Sequence, residues 1–363
     1  MNNRLGRLFT VTSFGESHGR CVGVVINGCP AGLPLNEDDI QREVDKRKPG
    51  AGAAATTRVE EDKIAVLSGI FHGVTTGAPV CCLVWNKDVD SSEYEKTRFQ
   101  FRPSQADYTA FVKYGGFNDF RGGGRFSGRI TVASVMAGAV AKKLLGLIGV
   151  EIMAHTVEIG GIKARPLTLD EIRKNVVENV LRCADSEVAG KMDRLIRKVR
   201  EEGDSLGGII EGIAVNVPVG LGEPSSDHLD GALAGALMSI PAVKGVEFGA
   251  GFAVAGKMGS ENNDPFVLKN GKISTVTNNA GGVLGGISNG LPIVVRVAVK
   301  PTASIARSQP TVDIKEMKEV GLAVRGKHDV CIVPRAVAVV EAIMAVILAD
   351  FALRVGMIPR VIK

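Results

Sequence analysis

Residues 120–129, FRGGGRFSGR, place three arginines and four glycines within ten positions. Glycine allows the backbone to approach a ligand closely, because it has no Cβ. Arginine presents a planar, charged fork that matches phosphate and carboxylate. The apolar run 131–145 follows directly and predicts a helix, whose N-terminal amides favour an anion. The stretch therefore predicts an anion-binding loop; the alternative is a tight backbone crossing with its arginines in solvent.

Four further segments carry groups that could act on an anion. His18, in the glycine-flanked loop TSFGESHGR, is suited to general acid catalysis, although a lone histidine is usually structural. DKRKPG (45–50) and KPTAS (300–304) supply cations, and RGKHDVC (325–331) places a histidine beside Asp329. A solvated helix end is the alternative interpretation of the first cationic segment.

The remaining histidines, His72, His155 and His228, have no such neighbours and are expected to be structural or on the surface. Histidines are not spaced as HxH or HxxxH, and the six cysteines are scattered without a CxxC pair. The sequence therefore predicts no metal site.

The composition is that of a soluble globular protein, with 45% hydrophobic and 23% charged residues in a chain of 363. The formal charge of +5 favours anionic small molecules, and the sequence has no RNA-binding motif. The cysteine pattern and the start MNNRLGRLFT, which does not resemble a signal peptide, predict a reduced, cytoplasmic protein. Residues 336–353 are the most membrane-like, but they contain Glu341 and Asp350, so we expect a helix in a soluble core. Neither nucleic acid nor membrane is an expected partner.

Two helices are marked by their ends. Residues 36–47 begin with Asn36 as a candidate N-cap, followed by acidic residues, and end with basic ones. Residues 186–203 are amphipathic, and Gly203 is a candidate stop.

Residues 69–80 and 282–293, GIFHGVTTGAPV and GVLGGISNGLPI, share three glycine positions when their prolines are aligned. Each predicts two short strands joined by a glycine turn. An apolar strand, a cationic loop and a long helix of small or apolar residues follow each copy. We therefore expect one α+β domain over 1–363, a β-α-β sandwich with two related halves and helices packed between sheets. A chance match between glycine-rich segments is the alternative.

In this order, the segments resemble the chorismate synthase family. The resemblance runs nearly end to end and is carried by GESHG, RGGGR, GDSLGG, NNAGGVLGGISNG, KPTAS and KHDVC. It implies conversion of 5-enolpyruvylshikimate 3-phosphate into chorismate and phosphate, an anti-1,4-elimination in the shikimate pathway of aromatic amino acid biosynthesis. It also implies reduced FMN used without net redox change, and a homotetramer whose subunit holds helices between antiparallel sheets. Two sources of reduced flavin stay open, namely NADPH used by the protein itself or an external flavin reductase.

The resemblance also assigns roles to residues. His18 corresponds to the acid beside the departing phosphate, and Asp329 to a carboxylate near flavin N5 that helps to move the proton taken from the substrate ring. Substrate or NADP binding is implied for Arg47, Arg102 and Arg129. Flavin binding is implied for Gln105, Arg125, Phe126, Ser127, Ala242, Gly285, Lys300, Pro301, Thr302, Ala303, Ser304 and Lys327.

Several positions depart from the usual family pattern. They are Gln105 and Asn279 in place of histidine, Lys327 and Ala53 in place of arginine, Phe126 in place of serine, and Pro241 in place of asparagine. These changes bear on flavin and phosphate contacts, since a lysine is a point charge where arginine binds with two hydrogen bonds. The alternative function is a divergent paralogue that binds flavin or a phosphorylated metabolite without turnover. His18 and Asp329 favour the enzyme, because a binding protein needs neither.

Overall fold

The computed structural model describes residues 3–48, 54, 61–87, 89–324 and 328–363, and in it runs of strands are separated by helices. In the first half the strands are β1 (Arg4–Leu5), β2 (Thr10–Gly15), β3 (Cys21–Asn27), β4 (Ile64–Ser68), β5 (Ile70–Phe71), β6 (Val74–Thr75), β7 (Val80–Trp85), β8 (Glu151–Ile159) and β9 (Ile162–Lys163). In the second half they are β10 (Gly208–Val215), β11 (Val243–Phe248), β12 (Phe266–Lys269), β13 (Lys272–Thr275), β14 (Val283–Leu284), β15 (Ile287–Ser288), β16 (Ile293–Val299), β17 (Gln309–Asp313) and β18 (Lys318–Leu322). The helices are α1 (Glu37–Arg47), α2 (Ser92–Lys96), α3 (Asp107–Tyr114), α4 (Thr131–Gly146), α5 (Leu169–Asn175), α6 (Ser186–Glu201), α7 (Leu229–Met238), α8 (Gly259–Asn262) and α9 (Val333–Arg354).

Two five-stranded antiparallel sheets frame the protein. The first has the spatial order β1–β2–β3–β7–β4, and the second has the order β11–β16–β10–β8–β9. Helices α4 and α9 pack against each other between the sheets: α4 contacts β2 and β3, whereas α9 contacts β8 and β10. The predicted α+β fold, with helices between antiparallel sheets, is confirmed.

Helix α9 is long and apolar enough to cross a membrane, yet 89% of its most apolar 18-residue window is buried inside the protein. Its two acidic groups are satisfied internally. Glu341 accepts hydrogen bonds from Lys142 Nζ at 2.5 Å and from the Ala154 amide at 3.0 Å. Asp350 Oδ1 accepts the amides of residues 7–9 at 2.7–3.0 Å. The helix is a core element, as expected, because its buried charges have partners.

The predicted helix ends and glycine turns are present. Asn36 and Asp39 form a reciprocal capping box at the start of α1, and Asp185 caps α6, which ends before Gly203. Both glycine-rich repeats form the expected hairpins, β5–β6 and β14–β15, each followed by a sheet strand. The six shared glycines all have φ between +76° and +87°, a region that other residues enter at a cost.

At Gly138, the close approach of α4 and α9 leaves no room for a side chain. A Cβ added to Gly138 would lie 2.3 Å from Ala342 Cβ and 2.5 Å from its Cα. Neither backbone can give way cheaply, because both helices are packed between the sheets. The glycine therefore sets the distance between the central helices.

Gly138→Ala should lower the free energy of unfolding by about 1–3 kcal/mol, because it overpacks this crossing. This loss of stability is the net effect, because overpacking outweighs the gain in helix propensity from glycine to alanine, which is worth ~1 kcal/mol. Urea denaturation followed by circular dichroism measures it. Gly146→Ala is the control, since Gly146 ends the same helix and has no neighbouring atom within 4 Å of an added Cβ. A Gly138→Ala protein as stable as the Gly146→Ala protein would contradict the account.

Candidate functional site

Residues 120–129, which we call the glycine-arginine loop, pack against His18. Gly122, Gly123 and Gly124 all have positive φ, at +58°, +80° and +52°. A Cβ on Gly122 would lie 2.5 Å from His18 Nε2, and one on Gly124 would lie 2.0 Å from the Asp119 carbonyl oxygen. Three consecutive glycines are therefore required both by the backbone path and by the contact with the imidazole. The loop ends at the N-terminus of α4, where it was predicted.

His18 is held in a buried position by the segment that leads into α2. Its side chain is 8% exposed, and its Nδ1 lies 2.9 Å from Ser91 Oγ. The Tyr94 ring packs edge-on against the imidazole with a centroid distance of 5.3 Å. These contacts fix the plane of the ring and turn Nε2 towards Gly122.

A cleft beside His18 concentrates the aromatic residues of a chain in which only 5% are aromatic. Its aromatic lining consists of Tyr94, Phe99, Phe101, Phe111, Phe120 and Phe126. Arg98, Arg102, Gln105 and Asp119 supply polar groups at the walls. Such a surface suits a flat ring system with polar edges.

Arg102 joins this cleft to the KPTAS segment. Its guanidinium makes two hydrogen bonds to Asp107, at 2.7 and 2.8 Å, and a third to Ser304 Oγ at 3.2 Å. Burial lowers the pKa of Arg102, but Asp107 more than offsets this and leaves the pKa raised. Arg102 and burial also lower the pKa of His328, against the opposing charge of Asp329. Arg102 is therefore a charged group that lies between the cleft and the adjacent residues His328 and Asp329.

Lys300 is hydrogen-bonded at or next to two other predicted flavin positions, Ala242 and Gln105. Its Nζ donates to Ser104 Oγ at 2.8 Å and to the Ser104 carbonyl oxygen, next to Gln105. Its amide donates to the Ala242 carbonyl oxygen at 2.9 Å, and Ala242 itself has φ +72°. Burial, with a smaller effect of Lys244, lowers the pKa of Lys300.

The remainder of the KPTAS segment follows β16. Pro301 and Ala303 lie in this loop, and Ser304 is buried at its end. Thr302 Oγ1 is buried and has no hydrogen-bond partner among the described residues. An unpartnered buried hydroxyl is costly, so this atom is available to a ligand.

A buried ion cluster, which we call the arginine cluster, consists of Arg47, Asp62, Arg129, Asp329 and Arg335. Asp62 accepts a hydrogen bond from Arg129 Nη1 and lies 3.7 Å from Arg47 Nη1. Arg335 Nη1 donates to Asp329 at 2.6 Å, and its Nε donates to the Arg47 carbonyl oxygen at 3.4 Å. Predicted substrate and catalytic residues from α1, the glycine-arginine loop and the start of α9 thus meet at one place.

Within the part of the chain that the structure describes, the arginine cluster holds three guanidinium groups and two carboxylates, so these five groups carry one excess positive charge. The pKa of Arg47 is lowered to about 9: burial has the largest effect, Arg335 and Arg129 act in the same direction, and Asp62 and Asp329 oppose the shift. Among the described residues, Arg47 Nη1 and Arg129 Nη2 are buried without a hydrogen-bond partner. Two buried donors and one excess charge suit a phosphate or a carboxylate.

Other predicted positions have different surroundings. Arg125 donates to the Gly15 carbonyl oxygen at 2.9 Å and to Ser13 Oγ at 2.8 Å, and burial lowers its pKa. Ser127 Oγ accepts the Arg129 amide at 3.3 Å. These contacts tie the glycine-arginine loop to the end of β2.

Gly285 forms the turn of β14–β15, with φ +60°. That hairpin is bonded to the start of α7 through the Leu229 amide, and no hydrogen bond among the described residues joins Gly285 to the cleft. Of the departures from the family pattern, Asn279 accepts Lys257 Nζ at 3.0 Å, and Pro241 precedes β11. Lys327 and Ala53 lie outside the described residues.

Three residues of the site were missed by sequence reasoning. Asp62 stands in the charged run EEDK, which is typical of a solvated surface, and only the folded chain buries it. Ser91 gives no signal in the sequence. Arg335 was visible as a cation four residues after KHDVC, directly before the predicted apolar helix 336–353, but its pairing with Asp329 depends on the turn that starts α9.

Comparisons with known proteins identify the family of this chain. The family model described as chorismate synthase matches residues 9–353. A chorismate synthase of Dehalococcoides mccartyi is 59% identical over 363 residues, covering all of both chains. One from Methanosarcina barkeri is 53% identical over 356 residues, covering 98% of this chain and 97% of the relative. A crystal structure of chorismate synthase, 32% identical, matches with a TM-score of 0.76 over 96% of this chain and 92% of the other. The chain belongs to the chorismate synthase family.

Proposed function

We propose that this chain converts 5-enolpyruvylshikimate 3-phosphate into chorismate and phosphate by an anti-1,4-elimination, with roles for its residues as given below. The family acts in the shikimate pathway on this substrate, with reduced FMN. One observation carries the proposal. Tyr94, Arg102 and the glycine-arginine loop connect three parts of the site, namely His18, the aromatic cleft and the arginine cluster.

The residues at the cleft fit a flavin mononucleotide. Aromatic walls suit a planar ring system, and Lys300 and Arg102 suit its anionic parts. The unpartnered Thr302 hydroxyl, one of the buried atoms described above, is a ready donor or acceptor. When bound, reduced FMN supplies electron density transiently to the substrate, so that the elimination proceeds without net redox change.

His18 acts as the general acid. Ser91 holds Nδ1, and Nε2 faces the Gly122 side of the glycine-arginine loop. A proton on Nε2 can therefore pass to a phosphate oxygen as the C–O bond breaks, which offsets the charge that grows on the leaving group. As the acid, His18 is the imidazolium: its Nδ1–H donates to Ser91 Oγ, and the proton on Nε2 is the one transferred.

The arginines bind and stabilise the departing anion. Arg47 and Arg129 offer their unpartnered Nη atoms, and Arg102 is oriented by Asp107. Preorganised donors of this kind stabilise developing charge without reorganising. Asp329, which accepts a hydrogen bond from Arg335, helps to move the proton that leaves the substrate ring.

Several finer features form part of the same proposal. The chain acts as one catalytic domain of a cytoplasmic homotetramer, and its flavin is reduced either by NADPH in its own site or by an external reductase. The remaining implied flavin residues, including Gly285 and Lys327, belong to the cofactor site. The matched hairpins β5–β6 and β14–β15, with their six equivalent positive-φ glycines, and the paired helices α4 and α9 support two related halves.

His18→Ala should leave the fold intact and lower kcat by ~10²–10⁴-fold, because a positioned acid is lost. Substrate affinity should fall much less, since the arginines carry the charge. The assay uses purified protein, photoreduced FMN without oxygen and the phosphorylated substrate, and follows chorismate absorbance. His72→Asn is the control: His72 is exposed in the β5–β6 turn with φ +50°, which asparagine tolerates.

Near-normal turnover by the His18→Ala protein would return this residue to a structural role. A wild-type protein that binds flavin and yields no chorismate would favour the alternative, a paralogue that binds without turnover.

Gln105→His should add a titration step to the rate-versus-pH profile near the histidine range, roughly pKa 6–7. Glutamine hydrogen-bonds but does not titrate; in this structure Gln105 Oε1 accepts the Ala106 amide at 3.1 Å. We therefore expect the wild-type protein to be active, with position 105 orienting the flavin and His18 and Asp329 handling protons. Gln309→His, at the start of β17 and outside the cleft, should add no step. If Gln105→His instead raises turnover by orders of magnitude at every pH, the native protein lacks a required acid.

A further inference from the structure

Asp62 occupies an unusual position for a carboxylate in a charged segment. Its side chain is 3% exposed, although its neighbour Glu61 is 63% exposed and pairs with Lys87 on the surface. Its backbone has φ +46°, a left-handed conformation that is uncommon outside glycine but that aspartate adopts more readily than most residues. In this conformation its carboxylate lies beside two arginines.

We infer that Asp62 is a positioning residue for the reaction: its carboxylate orients Arg47 and Arg129 so that one unpartnered nitrogen of each faces the same anion. The inference rests on the proposed function for the identity of that anion. Hydrogen bonds and one ion pair fix the orientation of both guanidinium groups.

Arg47 is fixed by hydrogen bonds at two of its three guanidinium nitrogens. Its Nε donates to Thr131 Oγ1 at 2.9 Å, and its Nη2 donates to the Gly128 carbonyl oxygen at 2.8 Å. Its Nη1 lies 3.7 Å from Asp62 Oδ2, beyond hydrogen-bond range but within strong electrostatic reach. Nη1 is therefore drawn to the carboxylate while its protons stay available.

Arg129 is fixed in a complementary way. Its Nε donates to Asn86 Oδ1 at 3.0 Å, and its Nη1 donates to Asp62 Oδ1. Nη2 is the atom left over. The two oxygens of one carboxylate thus face two guanidinium groups from separate elements, α1 and the loop before α4, and fix their relative position.

Asp62 also maintains the charge of Arg47. The charged groups that act on Arg47 are Arg335 and Arg129, which lower its pKa, and Asp62 and Asp329, which raise it. With a pKa of about 9, Arg47 is charged at neutral pH and loses its proton as the pH rises through that value. Loss of the Asp62 charge would lower this pKa, so binding of an anion would weaken at a lower pH than in the wild-type protein.

The test compares Asp62→Asn with Asp62→Glu. Asparagine keeps the shape, tolerates the positive φ, removes the charge and turns an amide N–H towards one guanidinium. Glutamate keeps the charge and displaces it by one methylene. Glu61→Gln, one residue away on the surface, is the matched control. Steady-state kcat and KM for the phosphorylated substrate are measured from pH 6 to pH 10, and calorimetry gives substrate affinity independently of turnover.

We expect Asp62→Asn to lower kcat/KM by on the order of 10–100-fold at pH 7, as small displacements of binding groups do. In the pH profile of kcat/KM, the alkaline side (the basic limb) of the Asp62→Asn protein should fall at a lower pH than that of the wild-type protein. Asp62→Glu should raise KM and leave the basic limb where it is in the wild-type protein, and Glu61→Gln should change neither.

Wild-type KM and an unmoved basic limb in Asp62→Asn would overturn the inference, and so would tighter substrate binding with normal kcat, which indicates a carboxylate that only opposes the anion. If Asp62→Asn does not fold, the KM of Asp62→Glu decides, and a wild-type value overturns the inference. Absence of turnover in the wild-type protein would refute the proposed function, whereas the affinities from calorimetry would still decide the role of Asp62.

Discussion

The arginine cluster holds more positive charge than its own carboxylates balance, and the rest of the site depends on this excess. Among the described residues of the cluster, the guanidinium groups of Arg47, Arg129 and Arg335 are paired with two carboxylates, those of Asp62 and Asp329. An uncompensated buried charge typically destabilises a protein by about 3–5 kcal/mol. The lowered pKa of Arg47 reflects that cost. A bound phosphate or carboxylate removes it, so the protein is built to be more stable with its anion than without it.

Glycines make this concentration of charge possible. The run 122–124 lets the backbone turn tightly between arginines and rest on His18, which any Cβ at position 122 would prevent. Gly138 lets α4 and α9 approach closely. Arg129 lies directly before the start of α4, and Arg335 lies in the first turn of α9. Packing at the centre of the sandwich therefore sets the separation of charges at its edge.

Much of the local structure could be predicted from the sequence, because it depends on local chemistry. Asn36 and the acidic first turn define α1, and paired glycine spacings define two hairpins. The glycine-arginine loop and His18 were recognised from residue types alone. Asp62 could not be, since burial of an acid in a charged run is decided by long-range packing. Long-range packing also decides that Arg125 donates hydrogen bonds to Ser13 and Gly15, whereas the sequence alone allowed its guanidinium to lie in solvent.

The most direct test of the central claim is the affinity for the phosphorylated substrate, measured by calorimetry and compared with that of the same molecule lacking its phosphate. The account predicts that the phosphate dominates affinity at pH 7. It also predicts binding of the phosphorylated compound about tenfold weaker at pH 10 than at pH 7, because most of Arg47, with a pKa of about 9, is then neutral. Equal affinity for the two compounds, or binding at pH 10 as tight as at pH 7 in a protein that is still folded, would contradict it.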